Sequence, residues 1–365
     1  MKWLRSTLLS KNFWLNRPHY SSERSNLSVT VVVPAWNEED FIRDTIEALL
    51  AQTYACRIIV VDDSSTDRTP DIVREYPTVR LLTTDRNQGS KSKALNYAIP
   101  YVDTDVFICV DADTSLHSDA VENLLKAFND PDVAIACGYV YSKSHQNFWQ
   151  SGRFGEYLLG QNIFKSAQQN ANVVLVASGC FFAIRAGFLR ENPFPTRTIA
   201  EDMDLTWTAI EHGHRVAFVE NAHCSVSDPD SFYLYDKQVS RWYRGFFQNM
   251  KVRNFNLFRR SFKLGFISYT YMIANFFGIP VALVSTLLFI DLSENSLFLS
   301  VLVWFGLAFL VCLYSSFRSI GWQALNPKHY FNSTALSLIT YYIYVRSAVE
   351  ELVLNRKLET WTKGH

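Results

Sequence analysis

The chain has no excess of charge of either sign: 35 basic residues stand against 35 acidic ones, a formal net charge of zero. That balance argues against a nucleic-acid partner, which would draw on a basic excess. It has no C-x-x-C pair. Its six cysteines, Cys56, Cys109, Cys137, Cys180, Cys224 and Cys312, are scattered. The scatter excludes a zinc ribbon or dithiol redox motif and reads as reduced thiols of a cytoplasmic domain. No G-x-G-x-x-G follows the first apolar run, which disfavours a dinucleotide-binding dehydrogenase. Residues 1–17 lack a continuous apolar core and a small-residue cleavage site, so no secretory signal is read there.

What is plentiful is apolar and aromatic: 48% of the 365 residues are hydrophobic and 15% aromatic. The length fits one sizeable domain plus a further module. Many of the aromatics lie after Asp230, as they do near membrane interfaces. At the N-terminus Trp3, Leu4, Leu8, Trp14 and Leu15 fall near helical spacing among Lys2, Arg5, Lys11 and Arg17. Residues 1–27 therefore read either as an amphipathic interfacial helix with a linker or as a docked or disordered tail.

Residues 28–250 alternate strand and helix. VTVVVPAW (29–36) is a β-branched run of the kind buried on both faces. A helix is expected over 38–50, with Asn37 as its cap. RIIVVDDSS (57–65) is a second strand ending in carboxylates, 66–76 a helix, 79–84 a third strand, 91–99 a helix, and DVFICVDAD (105–113) a fourth strand. Such alternation implies an α/β fold with a mostly parallel sheet and flanking helices. Ligands bind at the carboxyl ends of the strands in these sheets, where Asp62, Asp63, Asp111 and Asp113 fall.

Residues 251–365 change character. Two apolar runs, about 264–290 and 297–317, are each long enough to cross a ~30 Å hydrocarbon core. The loop between them holds Asp291 and Glu294, whereas Lys251, Arg253, Arg259, Arg260 and Lys263 precede the first. The positive-inside rule then places the large domain in the cytoplasm of a cell (inner) membrane protein. Residues 331–354 carry Arg346, Glu350 and Glu351, and read as an interfacial or protein-packed helix, with a third span as the alternative.

Three motifs carry chemistry. Asp111 and Asp113 of DAD, at alternate positions of an extended chain, point the same way and offer hard oxygens to magnesium or manganese; alone, D-x-D equally suits a loop start. Glu201 and Asp202 of AEDMDL precede an apolar helical run, where acids are also favoured by the helix dipole alone. QVSRW places Gln238, Arg241 and Trp242 on one helical face. Arg clamps diphosphates with its forked donors, and Trp offers a face to a sugar ring.

VVVPAWNEE, VVDDSSTDRT, NQGSKSKALN, DAD, ASGCFFAIR, AEDMDL and QVSRW follow one another in order. This set resembles the inverting family-2 glycosyltransferases, specifically the membrane synthases of the cellulose, chitin, hyaluronan and poly-N-acetylglucosamine type, over residues 29–245. The resemblance implies a GT-A-type catalytic domain. It implies that Asp63 binds the uracil of a UDP-sugar, with Pro34, Ala35 and Glu38 lining the nucleotide pocket and Lys91 near the base or diphosphate. Asp111 would face the ribose and donor sugar, and Asp113 would hold the divalent metal. Asp202 would be the general base. Gln238 and Arg241 would meet the diphosphate, and Trp242, Glu201, Gly179 and Cys180 the acceptor. Glycosyltransferases of this general fold sometimes add a late His to the metal shell, which makes His223 a candidate, with a packed His as the alternative.

Departures stand beside these expectations. Ser64 replaces the usual Gly, tolerable if the turn avoids positive φ. Ser90 is an extra residue before Lys91, and Ala200 stands where Thr is common. Two or three spans are few for a polymer channel, so either a homo-oligomer completes one or the acceptor is a membrane lipid. The expected reaction is inverting transfer from a UDP-sugar to a membrane-associated or polysaccharide acceptor. The alternatives are single addition to a lipid or polyprenyl phosphate, and a silent nucleotide-binding membrane scaffold.

Overall fold

The computed structural model describes residues 26–291 and 316–358, together with 310, 313 and 314. The expected N-terminal interfacial helix and most of the second apolar run lie outside the described residues.

The chain runs β1 (Val29–Ala35), α1 (Ile42–Leu50), β2 (Arg57–Asp62), α2 (Thr69–Arg74), β3 (Val79–Thr83), α3 (Lys91–Ala98), β4 (Val106–Val110) and β5 (Ser115–Leu116). It continues through α4 (Ala120–Leu125), β6 (Val133–Ser142), α5 (Phe148–Leu159), a π-helical turn (Gly160–Lys165), α6 (Ser166–Asn170), β7 (Phe181–Arg185) and α7 (Ala186–Glu191). Then come α8 (Glu201–Glu211), β8 (Arg215–Val226), α9 (Phe232–Val252), α10 (Leu257–Arg260), α11 (Phe262–Asp291) and α12 (Pro327–Ala348).

The strands form one sheet in the order β3-β2-β1-β4-β7-β6-β8-β5. β1 to β4 pair in parallel, as expected. The second half is mixed: β7 runs antiparallel to both β4 and β6, β6 is parallel to β8, and β5 is antiparallel to β8. A mostly parallel sheet is thus corrected to a mixed one: β7 enters between β4 and β6 and runs against both, and the short β5 runs against β8. The β-branched strands do bury both faces. Val31, Val33, Ile58 and Val60 enter one core and Val32, Ile59 and Val61 the other, as alternation requires. α1 closes the first core with Ile42, Thr45, Ile46 and Leu49, an i, i+3, i+4, i+7 stripe.

Two local expectations fail for stated reasons. The first helix opens at Ile42, not Glu38, and Asn37 is not its cap. Asn37 sits at φ 55°, and its Oδ1 accepts from Thr66 N at 2.8 Å, stitching the β1 loop to the β2 loop. Ser64 does take the left-handed conformation that the family's glycine would supply, at φ 58°. That conformation costs a residue with a Cβ roughly 1–2 kcal/mol. The Ser64 hydroxyl, donating to Thr84 O at 2.6 Å, offsets part of it.

Among the described residues no helix is long and apolar enough to cross a membrane. α11, which contains the first expected span, runs for 30 residues with Pro280 inside it. Residues 331–354 fall in α12 and the turn after it. There His329, Asn332, Ser333, Ser347 and Glu351 are buried, and Glu351 Oε1 accepts from Arg244 Nε of α9 at 2.9 Å. Gly152 and Gly155 let α5 lie close against α12; a Cβ at Gly155 would run into His329 O and Ser333.

Candidate active site

The carboxyl ends of β1, β2 and β4 and the amino ends of α3 and α8 meet on one edge of the sheet. Near β1 and β2 the site is a network of turns. Asp62 is buried and accepts from Ser65 N at 3.1 Å. Asp63 is buried too, and accepts from Thr84 Oγ1 at 2.8 Å and from Gln88 N at 3.0 Å. Burial raises its pKa against the pull of those donors. Glu38 is buried beside them, its own N–H given to Thr69 Oγ1 at 2.7 Å. Pro34 and Ala35 end β1 directly before this network.

β4 stops at Val110, so DAD is not extended. Thr114 N donates to Asp111 O at 3.1 Å, closing a turn, and Thr45 Oγ1 of α1 holds Ala112 O at 2.6 Å. The two carboxylates therefore keep different company, against the expectation of a shared direction. Asp111 pairs with Lys91 at 2.5 Å. Asp113 acts on Lys143, whose Nζ donates to Asp113 O at 3.0 Å.

Lys91 opens α3 and is the hub of the acidic pocket. Its ammonium donates to Gly179 O at 2.8 Å and stands 3.8 Å from Glu201 Oε1. Burial opposes its charge, yet Asp111 and Glu201 hold its pKa well above the usual lysine value. The inserted Ser90 does not displace it, because Ser90 is the extended residue at which the helix begins. Gly179 lies under Asp202: a Cβ there would stand 2.7 Å from Asp202 Oδ2. Asp111 N donates to Cys180 O at 3.1 Å, so the 178–180 turn, the DAD turn and the first turn of α8 form one unit. Gly245 of α9 packs on Ala200, which explains the small residue just before the acid pair.

Glu201 is pushed up to about 7, by burial first, with Lys91 pulling it down and Asp202 pushing it up. Asp202 is raised as well, again by burial first. Both acids are thus easier to protonate in the folded protein. For Glu201 the contribution to stability is fully present below its ordinary value of 4.5 and is lost as pH rises through about 7. Activity that needs the carboxylate runs the other way. The acid limb of kcat/KM is expected above the ordinary carboxylate range, because burial raises Asp202, and a pH–rate profile with its limb in that ordinary range of about 4 would reject this reading of the pair.

QVSRW lies within α9, as its helical spacing requires, and its side chains meet different groups. Arg241 lies in the field of Glu201 and Asp202 and lowers the pKa of each. Gln238 and Trp242 turn instead to a residue that sequence reasoning missed, the buried Arg153 of α5. The signal for it was faint: one arginine inside FWQSGRFGEYLL. His223 joins a ring cluster, 5.3 Å from His117 and 5.3 Å from Tyr139. Burial lowers its pKa to about 4, and the ionisable groups acting on it are His117 and Asp119, neither of the DAD carboxylates. Among the described residues no group of three or more His, Cys, Asp or Glu forms a metal cage. Cys180 and Cys224 are adjacent free thiols.

Residues 30–192 match the family model described as glycosyl transferase family 2. The chain is 30% identical over 253 residues to the hyaluronan synthase of Streptococcus pyogenes, covering 63% of this chain and 59% of that protein. It is 27% identical over 244 residues to the poly-beta-1,6-N-acetyl-D-glucosamine synthase of Staphylococcus aureus, with the same 63% and 59% coverage. The chain thus spans about three-fifths of the length of these curated relatives. In fold it is similar to the mannosyltransferase PcManGT from Pyrobaculum calidifontis, solved with GDP-Man and Mn2+: TM-score 0.65, 21% identity, 97% of this chain and 95% of that one. By sequence, then, residues 30–192 match a family-2 glycosyl transferase domain, and the chain's fold is similar to that of a solved mannosyltransferase.

Proposed function

We propose that the protein is an inverting, metal-dependent transferase that moves a sugar from a UDP-sugar to a membrane-associated or polysaccharide acceptor. The observation that carries this reading is the position of Asp202. Its carboxylate is half-buried and raised in pKa. It stands over the one residue, Gly179, whose carbonyl binds the same lysine that holds Asp111. A base and a donor-side carboxylate are thus tied together through a single ammonium.

In this reading Asp202 takes the acceptor hydroxyl proton as that oxygen attacks the anomeric carbon from the face opposite the leaving diphosphate. Asp63 reads the uracil, with Pro34, Ala35 and Glu38 around it. Arg241, in the field of the acid pair, balances diphosphate charge. Lys91 is already matched by Asp111 and Glu201, so it positions these two and keeps the pair from collecting a second proton.

A hard divalent cation here would be held by Asp111 in exchange for its contact with Lys91, and by Asp113 from the turn beside Lys143. Asp111 and Asp113 offer oxygen ligands, and two carboxylates suit an ion that shares its remaining positions with substrate phosphates and water. Manganese or magnesium, if bound there, would supply charge neutralisation to the leaving diphosphate. His223, among its rings, adds nothing to that donor set.

A membrane-apposed position is supported by the exposed Phe255, Phe258 and Phe262 beside the exposed Arg259 and Arg260, where aromatic and cationic residues suit an interface. The basic residues flanking α11 favour a cytoplasmic catalytic domain. The test is to offer membranes holding the protein a panel of UDP-sugars and determine the product masses. One donor is expected to give product. A ladder of oligomers assigns processive synthesis, one added sugar assigns single addition to a lipid, and no transfer from any UDP-sugar rejects the donor class.

A further inference from the structure

Arg153 is a site-adjacent cation that the motifs do not account for. Its side chain is 7% exposed. Nη1 pairs with Glu156 at 2.6 Å, and Nε stands 3.7 Å from Asp228, a carboxylate with no exposed side-chain surface. Asp228 is fixed further by Tyr157 Oη at 3.1 Å and by the Ser142 hydroxyl. Glu156 accepts from Tyr235 Oη at 3.0 Å and from Thr340 Oγ1 of α12 at 3.2 Å.

If this were only a buried ion cluster, the guanidinium would face its two carboxylates and nothing more. It does not. Nη2 donates to Gln238 at 3.4 Å, and the guanidinium carbon lies 4.4 Å from the centroid of Trp242. Trp242 is 37% exposed, so the guanidinium stands against one face of the indole while part of the ring remains accessible. A guanidinium against one face of an indole is attracted by the ring quadrupole and restricts its two torsions. Its planar fork can do this and hold Glu156 at the same time, which an ammonium cannot.

We infer that Arg153 is a positioning residue for the acceptor: it sets the plane of Trp242, and through Gln238 the pitch of the QVSRW turn, so that the open indole face receives the sugar ring being extended. The inference rests on the reading of Trp242 as an acceptor platform. It assigns to α5, outside all the motifs, control over acceptor affinity.

The experiment uses the full chain in membranes with UDP-N-acetylglucosamine as donor and β-linked N-acetylglucosamine oligosaccharides as acceptor probes. Arg153→Lys keeps the charge and loses the fork. It is expected to raise acceptor KM about tenfold, the scale of a desolvated cation–π contact, while donor KM and the rate at saturating acceptor stay within about threefold. Because Arg153→Met would leave two buried carboxylates unpaired, the triple variant Arg153→Met/Glu156→Gln/Asp228→Asn is measured beside it. That neutral cluster retains its packing and is expected to show the same rise in acceptor KM. Trp242→Ala is the reference. If it raises acceptor KM while Arg153→Lys and the triple variant stay at the wild-type value, the inference about Arg153 is overturned. If Trp242→Ala itself leaves acceptor KM unchanged, or the wild type does not saturate with these probes, the platform reading of Trp242 falls first, and separately.

Discussion

Replacing Asp202 with Asn is expected to lower kcat by about two to four orders of magnitude, the usual contribution of a positioned general base, while UDP affinity stays within a few-fold. The local structure explains why this substitution is a clean one. Asp202 lies in the first turn of α8, and its Oδ1 accepts from Met203 N at 2.7 Å. An amide oxygen can keep that bond, so the helix start survives. What is lost is the anionic Oδ2, the oxygen that lies over Gly179. The neighbouring Glu201 does not substitute for it. Its side chain is only 8% exposed and stands 3.8 Å from Lys91, so it tunes the site's charge without reaching an incoming hydroxyl. Glu201→Gln removes the carboxylate adjacent to Asp202, the two charges opposing each other, and should move the acid limb of the pH profile downward with a far smaller loss of rate. The measurement is kcat and UDP affinity on the same membranes. Turnover retained in Asp202→Asn rejects the base assignment, and loss of UDP binding in step with turnover places Asp202 in donor recognition instead.

Much of this site was legible because its acids sit where an α/β sheet must present them. A β-branched run ending in carboxylates fixes both the strand and the edge on which its ligand binds, and Asp62, Asp63 and Asp111 follow from that alone. What the pattern missed were residues whose neighbours are distant in sequence. Asn37 looks like a cap from its local context, yet its side chain answers Thr66, 29 residues away. The DAD acids look parallel on an extended chain, but a turn closed by Thr114 N, with Ala112 held by Thr45, sends them to different lysines. Helical spacing puts Gln238, Arg241 and Trp242 together, and only the packing of α5 reveals that two of them lean on Arg153. The Ser64 departure shows the opposite case. The family's glycine correctly signals a positive φ, and this chain meets it with a serine that gains a hydroxyl bond.

Gly179→Ala should be nearly as damaging to the rate as loss of the base, and for a reason that no charge or hydrogen-bond argument supplies. Gly179 does not have a positive φ, so the backbone accepts alanine without strain. The added methyl would stand 2.7 Å from Asp202 Oδ2 and 3.3 Å from its carboxyl carbon. Asp202 cannot simply swing aside, because Met203 N holds the other oxygen. The 178–180 turn cannot simply retreat either, because Gly179 O receives Lys91 at 2.8 Å. One of the two must yield by a sizeable fraction of an ångström. A misplacement on the scale of 1 Å costs about 100-fold in rate, so a loss of kcat approaching that size is expected, with UDP binding and thermal stability close to wild type. Gly138→Ala gives the contrast. Its methyl would meet Ala222 O and the Phe181 ring inside the sheet core, which should lower stability rather than the rate per folded molecule. An active, normally stable Gly179→Ala enzyme would mean that the carboxylate does not work from the position it holds over Gly179, and the geometric basis of the base assignment would go with it.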